Sequence, residues 1–195
     1  METNIDLKSL ELKAWSPYAR DGFWDLFFGL MMLSAGISTL TDNSWFTLLL
    51  IPNVLMVALG RIFVTVPRVG RVVFSRQRNL KIVKLTMGIG VAVMLAAALL
   101  AMTQKGILEI SGSVFIVLLY LTVFALMAYF MNCGRLFIYG VLFANTHILW
   151  STYGEHVGGL SHLVSGIIVI TFGLITFIRF LRANPRPVIG EPDGD

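Results

Sequence analysis

Charge and cysteine are both scarce in this chain. Of its 195 residues only 13% are charged, against about 25% in an ordinary soluble domain, while 56% are apolar against about 45–50%. The shortage of charge excludes an ordinary soluble enzyme, and the surplus of apolar residues excludes a disordered chain. The single cysteine, Cys133, cannot close an internal disulfide, so a stapled secreted module is excluded and the redox compartment is not readable from cysteine usage. Motifs that carry chemistry are missing too. There is no GxxxxGK[ST] phosphate loop, no GxSxG elbow, no CxxC pair, no EF-hand loop and no HExxH. Met1 to Arg20 lacks the basic start and apolar stretch of a cleavable leader, so the first apolar segment is expected to stay as a span.

What the chain does hold is apolar sequence in long runs, with a mean hydropathy of +0.80. A hydrocarbon core about 30 Å thick needs roughly 20 apolar residues per helical crossing. Six runs satisfy this: about Gly22 to Leu40, Trp45 to Val66, Leu85 to Met102, Ser113 to Met131, Leu136 to Tyr153 and Gly158 to Phe180. The expected fold is therefore all-α, an integral membrane bundle of six transmembrane helices over residues 21–182. Residues 1–20 form an N-terminal segment in which Leu7, Leu10 and Ala14 suit a short interfacial helix, with Trp15, Tyr18, Trp24 and Trp45 as aromatic anchors. Residues 183–195 (ANPRPVIGEPDGD) are too polar and proline-rich to pack and read as a disordered tail.

The basic residues fix the expected orientation. With six spans, both termini share a side with the loops after spans two and four, and 14 of the 15 lysines and arginines fall there, leaving Lys105 opposite. The net charge of +4 divides into +6 on that side and −2 on the other (14 basic and 8 acidic residues against 1 and 3). Both termini are thus expected in the cytoplasm, and the chain in the cell (inner) membrane as a multi-pass protein. A pI near 9.5 would otherwise suggest nucleic acid, but topology accounts for the charge and nucleic acid is not an expected partner.

The longest polar stretch between spans is PRVGRVVFSRQRNLKIVK, Pro67 to Lys84, with Arg68, Arg71, Arg76, Arg78, Lys81 and Lys84. Val72–Phe74 and Leu80–Val83 flank a polar turn, which favours a short β-hairpin; the competing reading extends the third helix backwards as a basic segment. Six cations near an anionic leaflet suffice for lipid contact at about 1 kcal/mol each.

A few side chains are expensive to keep in a bilayer, where a charge at the helix centre costs about 2.5–3.5 kcal/mol. Asp25 lies one turn inside span one and Arg61 near the same end of span two, so an Asp25–Arg61 ion pair is expected, with Arg68 or Arg179 as alternative partners. The plainer reading places Asp25 at a helix N-terminus and lets Arg61 snorkel. Pro52-Asn53 interrupts span two, and with Asn145, His147 and His162 in spans five and six it suggests a polar cavity; proline kinks without function are also common in membrane helices. The three histidines, His147, His156 and His162, lie toward the external side. Imidazole suits transition metals, but spacings of nine and six match no ligand motif, and histidines satisfied by hydrogen bonds at a wet helix mouth are the plainer account. Cofactor and metal are both expected to be none. Gly29, Gly36, Ala92, Ala96, Ala97 and Ala101 are candidates for close helix seams.

PRVGRVVF (Pro67 to Phe74), RDGFWDLFFG (Arg20 to Gly29) and RFLRANPRP (Arg179 to Pro187) resemble segments of small, uncharacterised prokaryotic multi-spanning membrane proteins that share a PRxGxVxF loop pattern. Arg71 stands where an aromatic is usual. The resemblance implies location and architecture, and no chemistry. The expectations from the residues are a small transport-type or accessory membrane subunit, homo-oligomeric or paired with a membrane or cytoplasmic protein. Two alternatives stand beside it. One is a scaffold or sensor whose basic loop binds anionic lipid or a partner. The other is a histidine-dependent metal or haem protein.

Overall fold

The computed structural model describes residues 20–70, 76–105 and 111–186, and among these it is helical with short connections and no strand. The apolar runs fold into six helical stretches: α1 Phe23–Thr41, α2 Ser44–Val69, α3 Arg76–Gln104, α4 Gly112–Met131, α5 Arg135–Tyr153 and α6 Glu155–Ala183. Five of them, all but α5, are long and apolar enough to cross a membrane. Helix α5 carries Asn145, Thr146, His147, Ser151 and Thr152. Its buried face (Leu136, Tyr139, Gly140, Phe143, Ala144 and Thr146) packs between α4 and α6, so part of that polarity meets protein.

Local chemistry sets the ends. Helix α1 opens behind Asp21, whose Oδ1 accepts the Phe23 N–H at 3.1 Å, and closes at Asp42, which adopts a left-handed conformation in the polar turn before α2. The Asn43 side chain accepts the Trp45 N–H at 3.0 Å and starts α2. Helix α2 is irregular along its length: a 3₁₀ stretch (Ser44–Leu49), an α segment (Leu50–Gly60), a π turn (Arg61–Thr65) and a last α turn (Val66–Val69). Its prolines account for much of this. Pro52 falls in the first turn of the α segment, where a missing N–H costs least. Pro67 cannot donate to the Phe63 carbonyl and crowds it, and the helix widens just before that point.

The preferred hairpin reading of residues 67–84 is corrected. Leu80–Val83, expected as its second strand, lies in α3, and Val66–Val69 is helical. The stretch 72–74, the expected first strand, lies outside the described residues, as do the expected interfacial helix and the tail beyond Arg186. Leu80, Ile82 and Val83 continue directly into an apolar run with no breaker, so helix extension from Leu85 costs nothing at the boundary.

Helices α1, α4, α5 and α6 share a core of Phe28, Met32, Phe124, Leu136, Phe143 and Val169. Its aromatic rings interlock, with Phe28 4.9 Å from Phe124 and Phe124 5.4 Å from Phe143. The chain arranges its helices so that α2 packs on α1, α1 on α6, α6 on α5, α5 on α4 and α4 on α3. Helices α2 and α3 lie outermost and expose most of their apolar side chains, as spans bathed in lipid would.

The α1–α6 contact is built from glycine at heptad spacing. Gly22, Gly29 and Gly36 on the α1 side face Gly173, Gly166 and Gly159 in one antiparallel register. A Cβ on Gly166 would lie 2.8 Å from the Leu33 nitrogen and 3.0 Å from the Gly29 oxygen, and one on Gly36 2.9 Å from the Gly159 oxygen. Repeats of seven keep such a seam facing its partner over several turns, and only glycine lets the backbones approach this closely. Gly22 is constrained twice, by its φ of +85° and by the Gly173 oxygen 2.8 Å from where a Cβ would stand.

Candidate functional site

Two buried carboxylates at the start of α1 organise one end of the bundle, and they face different helices. Asp21 turns to α2: its Oδ2 accepts from Arg61 Nε and from Thr65 Oγ1, both at 3.2 Å. Asp25, four residues on, turns to α5: its Oδ2 accepts from Arg135 Nη1 at 2.8 Å and its Oδ1 from the Tyr139 hydroxyl at 2.7 Å. Each arginine also lies over a ring, Arg61 5.0 Å from Trp24 and Arg135 5.9 Å from Phe172. Arg135 Nη1 reaches Thr176 Oγ1 at 3.4 Å, so this centre joins α1, α5 and α6.

The expected Asp25–Arg61 pair is therefore corrected. Arg61 pairs with Asp21 and Asp25 with Arg135. The depth argument placed Arg61 beside the start of α1, but Asp21 meets it there, while Asp25 faces the side where α5 packs. Arg135 and Tyr139 were legible only as a basic residue and an aromatic one turn apart at a span entrance; nothing in the string ties them to Asp25. Burial pushes the Asp21 carboxyl above its usual range, while the Arg61 charge, the Phe23 N–H and the Thr65 hydroxyl pull it back down.

The π turn gives the Asp21 centre its shape. Arg61 and Thr65 bracket it, and the widened turn brings both donors to one carboxylate oxygen. Farther along the same helix, Asn53 is buried and its Nδ2 donates to the Phe27 carbonyl at 2.9 Å. Ser34 of α1 donates to the Phe46 carbonyl near the start of α2. The α1–α2 contact thus carries polar bonds along its length, with the Phe23 ring packed on Gly60 among them. It also holds buried polar atoms without a hydrogen-bond partner, Trp24 Nε1 on α1 and Asn53 Oδ1 on α2. Buried polar groups are normally paired, so such a concentration marks a seam and not a sealed core.

The expected polar cavity of Pro52, Asn53, Asn145, His147 and His162 does not assemble, and this too is a correction. Asn53 is committed to α1, Pro52 and Asn145 are exposed, and the histidines belong to α5 and α6. His162 is buried, with Nδ1 2.9 Å from the Gly158 carbonyl and Nε2 3.1 Å from Thr146 Oγ1, while Thr146 itself donates to the Phe143 carbonyl at 2.9 Å. Neutral imidazole leaves one bond of this chain unmade, because the threonine has one proton for two acceptors; imidazolium makes all three. His147 stacks edge-on with Tyr120 and Trp150, and its buried Nε2 has no partner. His156 is exposed. Among the described residues no three histidine, cysteine or acidic side chains come together as a metal site.

Of the basic segment, Arg68 donates to the Val64 carbonyl at 3.0 Å at the end of its own helix. Lys81 and Lys84 are exposed on α3, Arg76 and Arg78 lie in its first turn, and Arg71 lies outside the described residues. Searches of family models, of curated proteins and of solved structures find no match to this chain.

Proposed function

We propose that this chain is a multi-pass inner-membrane protein of six spans with both termini in the cytoplasm, acting as a small transport-type subunit in which α2 works against a rigid α1–α6 scaffold. The one-sided distribution of lysine and arginine supports the orientation. Between the Asp25–Arg135 centre and the His162–Thr146 bonds, α1, α4, α5 and α6 meet through interlocked apolar and aromatic side chains, so a polar solute or ion has its best path along the α1–α2 seam.

The observation that carries this reading is α2 itself. Its 3₁₀, α and π segments stack in one span, and its polar residues Asn53, Arg61 and Thr65 all face α1. Mixed helical geometry beside unpaired buried polar atoms is what a helix that shifts between two packings presents. The Asp21–Arg61 pair then serves as the latch at the cytoplasmic end.

The seam can be tested without knowing the solute. With Cys133→Ser as background, Asn53→Cys is treated with a membrane-impermeant cationic thiol reagent in sealed vesicles. Labelling at Asn53→Cys, and none at a cysteine placed at the buried core position Val169, is expected. Absence of labelling at position 53 in functional-length incubations would overturn the reading.

A further inference from the structure

We propose that the cleft between α5 and α6 retains one acyl chain of an anionic phospholipid, with its phosphate held by Arg135 and Arg179. The cleft has a volume of about 200 Å³ and is walled by Ile138 and Leu142 of α5 and Ile168, Val169 and Phe172 of α6, with Arg135 lining one end. Ile138, Ile168 and Phe172 are exposed, so the cleft opens sideways, where the bilayer lies.

Charge at its mouth chooses the headgroup. Arg135 keeps Asp25 while lining the cleft, and Thr176 beside it is followed one turn later on α6 by exposed Arg179. Phe172, Thr176 and Arg179 follow one another at spacings of four and three, so they share a helix face. Asp21 and Asp25 are both buried in ion pairs, Asp25 with Arg135 itself, so the net positive charge exposed at the mouth is that of Arg179. An apolar slot with arginine at the level of the bilayer surface matches a lipid with an anionic headgroup, the pattern of basic pockets between membrane helices. A free anion has no use for the apolar wall, and a zwitterionic lipid none for the second arginine. The site is independent of any role for α2.

Native mass spectrometry of the purified full chain in detergent tests it, with phosphatidylglycerol and phosphatidylcholine of identical chains as probes. Wild type is expected to retain phosphatidylglycerol at about tenfold lower lipid concentration than phosphatidylcholine. Arg179→Gln should erase most of that preference. Ile168→Trp, which fills the cleft, should lower retention of both lipids with the melting temperature unchanged; if it melts early, Ile138→Trp on the opposite wall takes its place. Equal retention of the two lipids by wild type, unchanged retention in both tryptophan variants, or displacement of the lipid by millimolar glycerol phosphate would each overturn the proposal.

Discussion

Helix α1 meets α6 through glycine and α2 through polar side chains, and the two contacts have opposite physical characters. Against α6 the backbones themselves touch, at Gly22–Gly173, Gly29–Gly166 and Gly36–Gly159, and little there can move without a clash. Against α2 the contact is made by side chains, the hydrogen bonds of Asn53, Arg61 and Thr65 and the Phe23 ring on Gly60, with a buried donor and a buried acceptor left over. In lipid there is no hydrophobic drive between helices, so close van der Waals contact holds a seam shut, whereas side-chain hydrogen bonds are worth on the order of 0.6 kcal/mol and find alternative partners. One helix thus carries a rigid joint and an adjustable one.

The comparison breaks most sharply at Gly166. Gly166→Leu puts atoms where the Leu33 nitrogen and the Gly29 oxygen already stand, and backbone cannot rotate away as a side chain does. A loss of about 4 kcal/mol or more is expected, seen as failure to purify a folded monodisperse protein. Gly90→Ala on α3 is the control. A Cβ there meets nothing within 4 Å, so the melting temperature should hold or rise slightly, by up to about 1 kcal/mol of helix propensity. Should both glycine variants behave alike, the α1–α6 seam is not the rigid joint.

Smaller losses are expected from the carboxylates. Asp25→Leu strands the Arg135 guanidinium and the buried Tyr139 hydroxyl together, and a cost of about 3 kcal/mol is expected, the lower end of the range for breaking a buried pair because Arg135 is 24% exposed. Asp21→Leu should cost about 2 kcal/mol, because Thr65 can turn back to a carbonyl of its own helix and Arg61 can snorkel. Thermal unfolding in detergent ranks the two. The reverse ranking would make α2, and not α5, the firmer partner of α1.

How much of this was legible in the sequence depends on the kind of force involved. Span limits follow from hydropathy, and α1, α4 and α5 start and stop within one or two residues of where their apolar runs do. The extension of α3 back through Leu80–Val83 was legible only as the competing reading, since that run is as good a strand as a helix until its apolar continuation is weighed. Gly29 and Gly36 stand out as seam residues, whereas their partners Gly159, Gly166 and Gly173, also seven apart, were missed in the sequence. Which set faces which, however, is decided only by packing. The exchange of partners at Asp25 has the same origin. Sequence places charges at depths, and it does not say which of several neighbouring helices an Asp side chain faces. The π turn left no pattern beyond Pro67.

The smallest effect separates stability from mobility. Asn53→Leu removes one hydrogen bond to a carbonyl already within a helix, together with an acceptor that has no partner, so its net effect on stability should stay within about 1 kcal/mol. Its effect on α2 should be visible all the same. Wild-type amides of α2 are expected to exchange with deuterium faster than those of α6, although α2 is just as apolar, because its contact with α1 opens locally. Filling the seam with leucine should slow exchange across residues 50–65 by up to about tenfold, the equivalent of roughly 1.4 kcal/mol of local stability, and leave residues 159–173 untouched. If α2 and α6 exchange equally in the wild type, or if the leucine slows both together, the two contacts form one cooperative unit and α2 does not move on its own.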